Sequence, residues 1–228
     1  MYEEVGLFAD TPDNFFPETI LEVIPGEAQT LLPHLSSLSL SAVSFQVATD
    51  EILHALNITR LHSLRLWNYP HSLKLLKLIV SEAHTVRLKS FELVIDVAYN
   101  KEQGIHGERH YEMISALLNA FRGLEDLYLM LADYIKWEVI AGSISGHIST
   151  LDRLILHERV VVEDDEWLTP IGSRIASNTG IHNLYESANL TCVGTCLRSH
   201  EWICVMNELL TKDHKNVKLT DLVGCGLE

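Results

Sequence analysis

The sequence predicts an α/β solenoid: a parallel sheet on the concave side, helices on the convex side, and irregular repeats of about 26–36 residues. Three observations predict it. A short apolar phrase, Leu-x-x-Leu-x-Leu, recurs along the chain at near-regular intervals. Helical patterns fill the spaces between its copies. The 228 residues, 47% of them hydrophobic, also suffice for one domain with a sizeable core.

The first copy is Leu35-x-x-Leu38-x-Leu40 and the second Leu61-x-x-Leu64-x-Leu66. Leu88-x-x-Phe91-x-Leu93, Leu124-x-x-Leu127-x-Leu129 and Leu151-x-x-Leu154-x-Leu156 follow. A weaker copy is expected from Ile181-x-x-Leu184, and a degenerate one in "VKLTDLVGCG" near the C-terminus. The intervals between first positions are 26, 27, 36, 27 and 30 residues. The last two apolar positions lie two apart and point the same way on a strand. The first lies where the chain turns into that strand and packs on the same core. One such unit cannot bury its leucines alone, whereas a stack can.

Between the phrases, "TDEILHAL" reads as a helix capped by Thr49, and "PHSLKLLKLI" as one opened by Pro70. "HYEMISALLNAF" sets Met113, Ile114, Leu117, Leu118 and Phe121 on one helical face. "WEVIAGSISGHI" does the same with Trp137, Ile140, Ala141, Ile144 and Ile148, weakened by Gly142 and Gly146. "SHEWICVMNELL" reads as a helix starting from Ser199. Residues 1–30 are expected to be an acidic segment with a capping helix over 15–24. Residues 31–228 are then the solenoid with its C-terminal cap, the whole forming a single domain.

The five phrases resemble those of leucine-rich repeat proteins, and the resemblance spans roughly residues 31–225. The family's Asn or Cys after the phrase is replaced by Val43, Tyr69, Asp96, Ala132 and Arg159, so an irregular solenoid is expected. Long repeats with irregular helices look most like fungal F-box-associated leucine-rich repeat proteins. "FPETILEVI" at 16–24 resembles the start of an F-box, but the first repeat follows too closely for a whole one. The resemblance implies protein recognition, as in the substrate-reading part of a ubiquitin-ligase receptor.

Charge narrows the partners. The net charge is −14. Residues 1–59 hold nine acids (Glu3, Glu4, Asp10, Asp13, Glu18, Glu22, Glu27, Asp50 and Glu51) and no Lys or Arg. Such a chain repels nucleic acid. Its acidic end is either a solvated face or a means of steering a basic protein partner. No apolar run reaches the roughly 20 residues of a membrane helix, and the start lacks a signal-peptide profile. A cytoplasmic or nuclear protein with reduced cysteines is expected.

Three clusters carry potential chemistry. Cys192, Cys196, His200 and Cys204 are four apart, and their ligand types suit zinc, although Gly194 and Ser199 oppose one helix through all four. His106, Glu108, His110 and Glu112 lie in the longest interval, where an insertion is expected to form a polar or contact loop. Glu163, Asp164, Asp165 and Glu166 precede a helix pattern and lack EF-hand spacing. No hydrolase, zincin, P-loop or dinucleotide motif is present. The expectation is a non-enzymatic recognition module without cofactor or metal. A metal-assisted enzyme using the 106–112 loop or the cysteine cluster is one alternative, and a self-associating structural protein another.

Residues flanking the second and third leucines point away from the core. They form three rows: Ser37, Ser63, Ser90, Asp126, Arg153; then Ser39, Arg65, Glu92, Tyr128, Ile155; then Ser41, Trp67, Val94, Met130, His157. Trp, Tyr, Met and Arg are enriched at interface cores. The expected partner-binding residues are therefore Arg65, Trp67, Glu92, Tyr128, Met130, Ile155 and His157.

Overall fold

The computed structural model describes residues 30–41, 50–67, 72–81, 86–95, 110–132, 135–159, 175, 178–187 and 189–195. Each recurrence of the phrase from 35 to 156 forms a strand. These are β1 (Ser37–Ser41), β2 (Ser63–Trp67), β3 (Ser90–Ile95), β4 (Asp126–Ala132) and β5 (Arg153–Arg159). A sixth, β6, runs Cys192–Thr195. The six pair in parallel in simple sequence order, β1 to β6. Between them lie α1 (Asp50–Leu56), α2 (Ser72–Ser81), α3 (His110–Ala120), α4 (Trp137–Ile144) and α5 (Thr179–Ser187). Each helix packs on the next, so the helices form a second layer.

The spacing of the phrase explains the layers. In β2, Leu64 and Leu66 are fully buried while Arg65 and Trp67 are exposed. Leu61, Leu88, Leu124 and Leu151, the leading residues of β2 to β5, are buried just ahead of their strands, and Leu35 ahead of β1 is half-buried. Leu75, Leu76 and Ile79 of α2 and Ile114, Leu117 and Leu118 of α3 complete one continuous core with the strand leucines. Ile140 and Ile144 of α4 and Ile181 and Leu184 of α5 extend it. Thus the sheet has an inner face against the helices and an outer face opposite them.

Backbone stitching repeats at the head of each strand. The carbonyl of Ser36 accepts from the amides of both His62 and Ser63. His62, Lys89, Glu125 and Asp152 each do the same for the next repeat, at 2.8–3.2 Å. The pattern aligns successive repeats without an asparagine ladder. Turn chemistry is local. Asn57 ends α1 in the left-handed region (φ 47°), and its Nδ2 donates to Pro33 O at 3.0 Å. Gly123, at φ 87°, makes the turn from α3 into β4. Asn178 caps α5, its Oδ1 accepting from Ile181 N–H at 3.0 Å.

Three expectations about the elements are corrected. Ile181 and Leu184 do not start a sixth strand; they face the core from α5. The sixth copy of the phrase is Leu190-x-x-Val193-x-Thr195, since Leu154 pairs with Val193. His110 and Glu112 are not in a loop but in the first turn of α3, with His110 buried and Glu112 exposed. The α-helix from Trp137 stops at Ile144, and a 3-10 turn over Ser145–His147 continues it. Cys192 lies in β6, in line with the reading that Gly194 opposes a helix there. Thr49, Pro70, the capping helix over 15–24, the 163–166 acids, Ser199 and the C-terminal phrase lie outside the described residues, as do His106, Glu108, Cys196, His200 and Cys204. Among the described residues, no group of three His, Cys, Asp or Glu is placed to hold a metal. Among them too, no helix is long and apolar enough to cross a membrane.

Candidate functional site

The outer face of the sheet carries the candidate residues. Parallel pairing in register turns the three predicted rows into three physical rows. Ser39, Arg65, Glu92, Tyr128 and Ile155 are consecutive neighbours across five strands. So are Ser41, Trp67, Val94, Met130 and His157.

Trp67 is the most prominent of these side chains, 46% exposed although its own strand buries Leu64 and Leu66. Ser41 flanks it on β1 and Val94 on β3. Arg65, two residues earlier, shares its side of the strand. Arg65 Nε meets Glu92 Oε2 at 3.2 Å. The pair is lopsided: the Arg65 side chain is 52% exposed and that of Glu92 only 14%. At the head of the strands, Lys89 forms an exposed ion pair with Glu125, the neighbouring position of the next repeat.

Across β4 and β5 the face is more closely packed. The Tyr128 and His157 rings stack with centroids 5.6 Å apart and planes 28° from parallel. Tyr128 Oη donates to Met130 Sδ at 4.0 Å. These contacts fix three half-buried side chains in place, so less freedom remains to be lost on binding. Burial pushes the Asp126 carboxyl above the usual carboxylate range. Arg153, its neighbour across the strand pair, opposes the shift, while Asp152 and Glu125 add to it and Arg65 again opposes it.

Ile155 does not belong with the available residues. It is 2% exposed, and its side chain closes against Gly194, where an added Cβ would stand 3.0 Å from it. Val94 is similarly covered, at 5%. Arg65, Trp67, Glu92, Tyr128, Met130 and His157 are brought to one face and remain at least partly accessible. Sequence reasoning placed Asp126 and Arg153 in a row but gave them no part in the site. Their signal was opposite charge at equivalent phrase positions. It also missed the Lys89–Glu125 pair, whose signal was the same.

Comparison of the chain with protein-family models, with curated proteins and with solved structures gives no match.

Proposed function

We propose that the chain is a leucine-rich-repeat-type solenoid that recognises a protein on the outer, concave face of its sheet. The observation that carries this reading is Trp67. It is a large aromatic side chain, nearly half exposed, beside the exposed Arg65 and in a register row with the partly accessible Met130 and His157. Aromatic and Arg anchors supply much of the energy of protein interfaces. The solenoid reading is supported by sequential parallel pairing and by the repeated carbonyl stitching. The substrate-reading role in a ubiquitin ligase rests on the family resemblance alone, and the identity of the captured proteins tests it.

The test is affinity capture from the source cells, followed by titration of the identified partner. Replacing Trp67 or Tyr128 singly by Ala is expected to weaken binding by at least ~2 kcal/mol, with an unchanged circular dichroism spectrum. Full binding by the folded double variant removes the sheet face from the proposal.

A further inference from the structure

The outer face is divided. Over β3–β5 it is filled by Val94, Ile155 and the Tyr128–His157 stack. Over β1 and β2 it is open. Ser37, Ser39 and Ser41 of β1 are all exposed. Beside them stand Arg65 and Trp67, the only large side chains that β2 turns outward. The result is a shallow ledge with a floor of serine hydroxyls, walled by a guanidinium and an indole. On a strand, residues two apart are roughly 6.6 Å from each other. An extended segment lying along the ledge would meet the two walls with side chains at the same spacing.

The charge of this ledge is opposite to that of the chain. The outward residues of β1 and β2 that build it are Ser37, Ser39, Ser41, Ser63, Arg65 and Trp67, one base and no acid, in a chain of net charge −14. Among the described residues, Glu92 is the acid paired with Arg65; it is largely covered and takes the Nε side, while Asp126 on β4 also lies within electrostatic reach of the guanidinium. That pairing orders the guanidinium while leaving half of the side chain exposed. A fixed planar guanidinium is well suited to a carboxylate.

We propose that the β1–β2 half of the face binds an extended acidic protein segment, with one carboxylate on Arg65 and a bulky apolar side chain two residues away against Trp67. The inference rests on the recognition role proposed above and names the chemistry of the partner. It departs from the basic partner that the acidic N-terminal segment suggests, because the outward residues of β1 and β2 include a base and no acid.

The test uses the full chain with ¹⁵N-labelled indoles, the Trp67 resonance being assigned with Trp67→Phe. Three sets of ten-residue peptides in a Gly-Ser background are titrated. The first carries Glu and Phe two residues apart, the second Lys and Phe at the same spacing, and the third Glu and Phe adjacent. The expected result is a saturable shift of the Trp67 resonance with the first set. It should be at least five-fold weaker with the other two and should fall as salt is added. Arg65→Glu should reverse the order of the first two sets. Equal or stronger shifts with the Lys set, or none with any set, overturn the acidic partner. A Trp67 resonance that moves with protein concentration alone assigns the ledge to a second copy. One that moves when the seven acids of residues 1–29 are changed to amides assigns it to the chain's own segment; either result overturns the inference. Failure of the docking face is read separately, as capture of the natural partner unaffected by Trp67→Ala.

Discussion

His147 shows how one side chain can set a pH limit on this fold. It is almost fully buried, with its ring 5.2 Å from that of Phe121. Its Nδ1 accepts from Leu124 N–H at 3.3 Å, so Nε2 carries the proton and donates to Leu118 O at 2.8 Å. The ring thereby ties the end of α3 to the start of β4. Burial lowers its pKa below 6.5; the Leu118 carbonyl opposes this, and the Arg122 guanidinium adds to it. The folded state then binds fewer protons than the unfolded state between the lowered value and 6.5. Stability is full above about 6.5 and falls as pH drops through that window. Denaturant titrations from pH 5 to 8 should show this slope, and His147→Phe should flatten it. The variant should also cost about 1–3 kcal/mol at pH 7, because it leaves the Leu118 carbonyl and Leu124 amide without partners. Asp126 has the opposite sign. Its pKa is raised, so the folded state binds more protons, and its contribution weakens as pH rises above the ordinary carboxylate value.

Each element depends on how completely its neighbours cover it. Leu127 is buried at the centre of β4, between Phe91 and Leu154. Leu127→Ala is expected to cost about 2–5 kcal/mol, as truncation of a buried leucine does. Leu38, in β1, retains some exposure and has β2 as its described partner, so Leu38→Ala should cost less. Equal denaturation midpoints for the two variants would contradict this order. At β6, an added Cβ on Gly194 would stand 3.0–3.1 Å from both branches of Ile155. Gly194→Val should therefore force the β5–β6 pair apart and cost about 1–3 kcal/mol by overpacking. The helices are held partly by polar contacts. Ser115 of α3 and Ser143 of α4 are hydrogen-bonded at 2.5 Å, and Asn119 Nδ2 donates to Ser143 Oγ at 3.0 Å. Mutation of Ser115 and Ser143 to Ala, singly and together, should reveal a coupling of about 0.5–3 kcal/mol in denaturation.

At the scale of the whole molecule, sequential strand order makes most pairings nearest-neighbour. Among the described strands, β2 to β5 are each held by the one before and the one after, and β1 and β6 on one side. Stability in such an array is approximately a sum of unit and interface contributions. Amide hydrogen exchange should therefore be slowest in β3, β4 and β5 and faster in β1. Uniform protection from β1 to β6 would indicate a single cooperative unit instead. The same array explains why the candidate site is spread over several strands. No single element supplies it, because each strand offers two or three outward side chains, and register alone assembles them into rows.

The register was legible in the sequence. Burial of a strand against helices demands apolar residues two apart, and a recurring lead-in leucine fixes where each strand starts. That physical demand determined which residues would share a row, from Ser37 to Arg153 and from Ser41 to His157. Only the tertiary structure decided the sixth repeat. Ile181 and Leu184, three apart, satisfy a helix face as well as the first half of the phrase. Glu186, charged where the phrase needs an uncharged third residue, was the discriminating signal. The structure also decided which row members are accessible. Alternation tells which face a side chain takes, but not the height of its neighbours. Ile155 lies in the same row as Arg65, yet it is enclosed while Arg65 is open. Accessibility depends on side chains brought together from distant repeats, and no local pattern encodes it.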